Sequence, residues 1–289
     1  MRSKLFVPAT STNLFPKALA SQADAISFDL EDSVAEDSKE AARAAMREFL
    51  QSEVAQSSAK TFIVRVNPMG TPNFEADVSA VIQTGLAILN IPKCESRQQV
   101  QDSMNWVVKA EAANRNGKPV SVLANIETPK ALRCAAEIGI ADSRVVGLQM
   151  GYADLFEPHG IKRYDYLNVH AALFAMRMAA AEAGVFAFDG AFPDVQDEVG
   201  LKEECEMAKR LGYIGKTCIH PSQIKTVNQI FLPTPREIDF ALRVLAAARD
   251  PKNRNVGVFQ MEGRMIDRPF IQSAQNMADK AAKRGSLSP

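Results

Sequence analysis

The sequence predicts a parallel (β/α)₈ barrel with a small C-terminal segment, and three observations carry the prediction. Eight short strand-like runs alternate with longer amphipathic stretches. The runs are mostly continuous apolar segments, as parallel strands covered on both faces require. Each run also ends at a polar or charged side chain, the arrangement found at the C-terminal, active face of such a barrel. A doubly wound open sheet is the alternative, but no Gly-rich dinucleotide turn is present.

The predicted strands are residues 4–7, 25–30, 61–66, 87–91, 120–125, 145–149, 185–188 and 215–219. Between them, residues 36–50 place Ala, Met and Leu on one side, with Lys39, Glu40, Arg43 and Arg47 elsewhere, an amphipathic helix pattern. Residues 97–114 and 164–183 read the same way. Residues 199–211 form a helix closed by Gly212, a C-cap signal. An eighth barrel helix is expected at 235–249, which sets the catalytic domain at residues 1–249. Residues 250–289 then form a small appendage: a turn at 250–253, an apolar hairpin, a helix at 270–283 and a frayed end at 285–289. So small a segment buries little alone and is expected to dock on the barrel or on a neighbouring subunit.

Composition narrows the partners. Lys plus Arg and Asp plus Glu number 34 each, which gives no electrostatic reason to expect nucleic acid or an anionic membrane. No apolar stretch is long enough to span a bilayer, and residues 173–185 are broken by Arg177 and Glu182. Cys94, Cys134, Cys205 and Cys218 are scattered without a CxxC, as expected of free thiols in a reducing cytoplasm.

The strand ends bring together a set of ionisable groups. Glu127 and Asp154 follow strands 5 and 6; two carboxylates plus water and substrate oxygens match Mg²⁺, with Mn²⁺ as a substitute. The alternative is that Glu127 caps the following helix and Asp154 is a local loop acceptor. Arg65, inside an apolar run, is either an anion clamp or the partner of Glu31 or Asp32 in a structural ion pair. Glu31 and Asp32 are candidates for positioning metal-bound water and Arg65. Lys93 either meets substrate phosphate or pairs with a strand-end carboxylate. Pro8, Met150, Gly151 and Asp189 complete the candidate substrate contacts. His220 is either an acid/base or a packing histidine at the end of strand 8.

Six motifs in this order resemble the citrate lyase β-subunit-like (CitE-like) branch of the HpcH/HpaI aldolase family, alongside malyl-CoA and citramalyl-CoA lyases. They are RSKLFVP from Arg2, DAISFDLEDSV from Asp24, VRVNP from Val64, IETP from Ile126, GYADL from Gly151 and GKTCIHPSQI from Gly215. The resemblance implies a magnesium-dependent lyase that cleaves a 3-hydroxyacyl-CoA to an α-keto acid (glyoxylate or pyruvate) and acetyl-CoA or propionyl-CoA. It implies Glu127 and Asp154 as metal ligands, and Arg65 as the group holding the keto-acid half. It also implies Asp267, in GRMIDRP from Gly263, as an acid/base donated across the interface of a homotrimer or hexamer. The first loop departs from the family: a Pro-Gly pair and an Arg are common there near the CoA phosphates, whereas this chain has Pro8-Ala9-Thr10-Ser11-Thr12-Asn13, and the next basic residue is Lys17. Competing outcomes are a thioesterase or malate-synthase-like reaction, a CoA-independent hydroxy-keto-acid aldolase, and a β subunit dependent on an acyl-carrier partner.

Overall fold

The computed structural model describes residues 1–250, 252–253 and 256–282. The chain divides into two compact units, Met1–Phe231 and Leu232–Pro289.

In the first unit, eight parallel strands close into a barrel in sequence order: β1 (Ser3–Pro8), β2 (Ala25–Asp29), β3 (Thr61–Arg65), β4 (Ile88–Ile91), β5 (Ser121–Ile126), β6 (Val145–Met150), β7 (Phe186–Ala191) and β8 (Lys216–Cys218). Pairing of Ser3, Lys4 and Leu5 with Lys216, Thr217 and Cys218 closes the ring. All eight predicted strands are present. Alternation along each strand sends one side chain into the barrel and the next toward the helices. The helix-facing set, including Phe28, Phe62, Val64, Leu89, Val122 and Leu148, forms the main hydrophobic core. Phe15 packs on Phe28, and Phe49 on Phe28 and Phe62, at ring-centroid distances of 4.6–5.2 Å.

Side-chain caps start the helices where the strand ends release the chain. Ser96 Oγ accepts from Gln99 N at the start of Arg97–Ala113. Thr128 Oγ1 accepts from Ala131 N before Pro129, which is pre-organised for the first helical position. Gly184, at φ +71°, ends Tyr166–Ala183 in the left-handed region. The helix Glu198–Arg210 is followed by Gly212 at φ +87°.

The last barrel helix is Pro221–Ile230, and Pro235–Arg249 belongs to the second unit. The barrel unit therefore ends at 231, before the boundary at 249 suggested by the sequence. The cause is a separate small core: Ala241, Val244 and Leu245 pack with Ile266, Ala274 and Ala278. This unit also holds the antiparallel hairpin of β9 (Val258–Met261) and β10 (Arg264–Asp267), and the helix Arg268–Ala282. The expected fraying at 285–289 lies outside the described residues. Among the described residues, no helix is long and apolar enough to cross a membrane.

Candidate active site

The C-terminal mouth of the barrel is acidic, and its geometry starts from one strand pair. Asp29 and Arg65 are register partners on β2 and β3. Arg65 donates from Nε to Asp29 Oδ1 at 2.7 Å and from Nη2 to Oδ2 at 2.9 Å, a bidentate pair. Asp29 is fixed in turn by the backbone N–H groups of Glu31 (3.0 Å) and Ser33 (3.1 Å). The Arg65 guanidinium lies over the Phe6 ring at 5.0 Å. Burial alone would raise the Asp29 carboxyl, but the bonds from Arg65 outweigh it and hold Asp29 below its ordinary range. Burial likewise works against the Arg65 charge, and Asp29 restores it. The sequence reading offered Glu31 or Asp32 as partners of Arg65. Both are close, at 2.9 and 3.5 Å from Nη1, but the directed bonds go to Asp29.

Lys93 reaches across this cluster. Its Nζ lies 3.1 Å from Glu31 Oε1, 3.7 Å from Asp32 Oδ1 and 3.9 Å from Asp154 Oδ1. Its backbone sits at φ +51°, a region costly for a residue with a Cβ and frequent at functional sites. That turn aims the Lys93 N–H at Glu127 Oε2, at 3.0 Å. Glu31 is buried within ion-pair range of two cations, yet neither of its oxygens receives a well-directed hydrogen bond. Burial pushes its carboxyl up to about 7, against the opposing charge of Arg65.

Glu127 leaves β5 at the centre of the mouth. Asn90 on β4 donates to Asn125 Oδ1 at 2.7 Å, and Asn125 donates to Glu127 Oε1 at 2.6 Å, so a side-chain relay orients the carboxylate. Thr128, not Glu127, caps the next helix, which removes the capping explanation for Glu127. Burial raises the Glu127 carboxyl above its ordinary value, with Arg65, Asn125 and the Lys93 N–H acting in the opposite direction and Asp154 adding to the rise. Asp154, in the first turn of Tyr152–Phe156, is 44% exposed and shares the field of Lys93. Two acidic oxygen donors, one buried and charge-penalised and one open to solvent, form a hard-ligand set that fits Mg²⁺, which takes one or two protein carboxylates and keeps waters. Among the described residues no group of three or more His, Cys, Asp or Glu is arranged to enclose a metal.

The structure thus brings Glu31, Asp32, Arg65, Lys93, Glu127 and Asp154 together. Pro8 ends β1 opposite Asp29, and Gly151 packs directly on Glu127. Two other sequence expectations, Asp189 and Met150, are corrected. Asp189 faces the helix layer: Lys216 Nζ donates to its Oδ2 at 2.7 Å, Tyr152 Oη donates to its Oδ1 at 2.6 Å, and its burial is complete. Lys216 also bonds Glu204, which is paired with Arg163, so Asp189 belongs to a buried structural network. The Met150 side chain is sealed in the hydrophobic core, because it follows the inward-facing Gln149 on β6 and must point outward. The exposed His220 is a helix cap, its Nδ1 accepting from Ser222 N at 3.2 Å. Asp29 was missed as a site residue, because its role rests on its register opposite Arg65, which only the folded barrel displays. A separate cleft of about 500 Å³, lined by Arg163, Tyr164, Tyr166 and Phe192 among others, shares no residue with the mouth; convergent charge, not void size, marks the reactive face. In the second unit, Asp267 ends β10 half-buried, and its Oδ1 accepts from Phe270 N at 3.4 Å.

Fold and mouth together define a parallel (β/α)₈-barrel enzyme with a carboxylate cluster built around a fixed guanidinium. The chain belongs to the HpcH/HpaI aldolase/citrate lyase family, whose model matches residues 2–221, and within it is a CitE-like carbon–carbon lyase. It is 33% identical to the citrate lyase subunit beta of Leuconostoc mesenteroides subsp. cremoris, over 96% of this chain and 91% of that one. It is 34% identical to a (3S)-malyl-CoA thioesterase of Cereibacter sphaeroides, over 97% and 94%. Among solved structures, protein CitE of Mycobacterium tuberculosis in complex with magnesium, acetoacetate and coenzyme A matches at a TM-score of 0.77 and 33% identity, covering 97% of this chain and 98% of that one.

Proposed function

We propose that the chain is a magnesium-dependent lyase that cleaves a 3-hydroxyacyl-CoA of the malyl-, methylmalyl- or citramalyl-CoA type to glyoxylate or pyruvate and acetyl-CoA or propionyl-CoA. The observation that carries this reading is the convergence of Glu127 and Asp154 beside Arg65 at one barrel mouth. The solved relative that holds magnesium, acetoacetate and coenzyme A supports the ligand class.

Glu127 and Asp154 would hold the ion. When bound, magnesium supplies Lewis-acid stabilisation of developing negative charge on substrate oxygen. Arg65 binds the keto-acid half and stabilises charge on its oxygen through a guanidinium already fixed by Asp29, so little reorganisation is needed during the reaction. The Asn90–Asn125 relay and the Lys93 N–H hold Glu127 in place. Glu31 and Asp32 set the charge around Arg65 and Lys93. Asp267 of a neighbouring subunit is the proton donor to the α-carbon of the thioester product, and its removal of that proton is the reverse step. This assigns the second unit the role of a lid in a homotrimer or hexamer.

The reading is tested by thioester turnover with Mg²⁺ for the native chain and for Glu127→Ala, with metal affinity measured in parallel. Loss of both metal binding and turnover is expected. Turnover with unchanged Mg²⁺ affinity in Glu127→Ala would reject the site.

A further inference from the structure

At the mouth, Arg65 is gripped on two atoms by a single carboxylate, that of Asp29. Asp29 takes the Nε and Nη2 protons of Arg65 at 2.7 and 2.9 Å. Asp29 is itself immobile: it is 1% exposed, sits in a strand and accepts two backbone N–H bonds from the turn that follows. Phe6 lies against the guanidinium face. The side edge of Arg65 is therefore used inside the protein; Nη1 lies 2.9 Å from Glu31 and 3.5 Å from Asp32, but Glu31 receives no directed bond from it, so the protons of the terminal Nη1/Nη2 edge are the ones left for a ligand. An arginine free to rotate loses side-chain entropy each time it meets a substrate, whereas one pinned along its side edge has lost it in folding.

We propose that Asp29 is a positioning residue for catalysis: it acts through Arg65, presenting the guanidinium's terminal edge to the anionic half of the substrate. This rests on the reading that Arg65 meets the substrate. Asp29 does not touch substrate or metal in this scheme. Its carboxylate is a geometric clamp and a charge partner, and both functions are lost if either side of the pair is removed.

The test is a double-mutant cycle on the full-length protein with Asp29→Asn, Arg65→Met and the combination, because an effect routed through Arg65 must vanish when Arg65 is absent. Turnover and KM for the thioester, Mg²⁺ affinity by calorimetry and the unfolding midpoint are measured for each. Asp29→Asn should lower kcat at least about tenfold, leave Mg²⁺ affinity within about twofold, and add nothing further in the Arg65→Met background. Asp29→Glu, which keeps the charge and both oxygens, should recover part of the loss and guards against a variant that fails to fold. Equal losses in both backgrounds, or losses that track the unfolding midpoint across the variants, would overturn the proposal. Full turnover in Asp29→Asn beside an inactive Arg65→Met would overturn it alone. Full turnover in Arg65→Met would overturn the underlying reading of the site and the proposal with it.

Discussion

Gly151 lies so close to Glu127 that a Cβ at position 151 would sit 2.3 Å from the Glu127 Cγ and 2.6 Å from its Oε1. The backbone leaving β6 is pressed against the carboxylate leaving β5, and only a residue without a side chain permits the approach. Gly151→Ala is therefore expected to displace Glu127 and weaken Mg²⁺ binding about 10–100-fold, the usual cost of disturbing a ligand's support. Titration calorimetry checks this, with circular dichroism expected to show the fold intact.

Lys93 supplies a positive charge to Glu31, Asp32 and Asp154. Replacing it with Met removes a cation that opposes a second cation in the same field. Lys93→Met should bind Mn²⁺ roughly 3–10-fold more tightly at low ionic strength, with the gain shrinking as salt is added. Spin resonance of free Mn²⁺ measures it; weaker binding would mean that the ammonium is a structural prop for the ligands.

Proton transfer is assigned to Asp267, in a unit separate from the barrel. Asp267→Asn keeps the size and the contact with Phe270 N but removes the base. Turnover is expected to fall ~10²–10⁴-fold with Mg²⁺ affinity unchanged. Near-normal turnover would remove Asp267 from the chemistry.

The buried network behind β7 and β8 makes a prediction about stability. Lys216 is fully buried between Asp189 and Glu204. Burial works against its charge, and those two carboxylates outweigh it and hold the lysine protonated. Lys216→Met strands two acidic groups, leaving Asp189 with Tyr152 and the Gly190 N–H and Glu204 with Arg163. A loss of about 3–5 kcal/mol is expected, the range for breaking a buried pair by removing one partner. Chemical denaturation of the two proteins provides the comparison.

At the other end of the barrel, Arg2 ties β1 to the start of β2 through three bonds to Asp24, from N (2.6 Å), Nε (2.9 Å) and Nη2 (2.6 Å). Burial opposes the Asp24 charge, but Arg2 lowers the folded-state pKa below its ordinary value. A depressed carboxyl contributes stability above its unfolded pKa, near ~4, and loses it as pH falls through the folded value. Asp24→Asn should cost about 1 kcal/mol at pH 7, with the difference from the native chain shrinking as pH falls through the folded-state value. Unfolding midpoints measured across that range decide it.

Much of this architecture was readable from the chain, for physical reasons. Mostly apolar runs bounded by polar residues leave parallel strands few alternatives, and all eight were found, with ends within three residues of those expected. Glu127, Arg65 and Asp154 were visible as charges placed where an apolar run stops. Two of the errors share one cause: adjacent residues in a strand face opposite sides, so a strand-end residue does not have to face the mouth. Asp189 and Met150 were misplaced by that single step. Asp29 was passed over because its role depends on pairing with β3, a tertiary fact. The unit boundary at 231 was hidden because Pro235–Arg249 has the amphipathic pattern of a barrel helix; only its packing partners, Ile266, Ala274 and Ala278, reveal its place.

The most direct measurement of the central claim is mass-resolved product analysis after incubating the purified chain with malyl-CoA, β-methylmalyl-CoA and citramalyl-CoA, each with Mg²⁺ and with EDTA. The account predicts acetyl-CoA or propionyl-CoA together with glyoxylate or pyruvate, formed only with Mg²⁺. Free CoA beside an intact hydroxydiacid would identify a thioesterase and contradict carbon–carbon cleavage, and no turnover of any of the three would contradict the assignment of CoA thioesters as substrates.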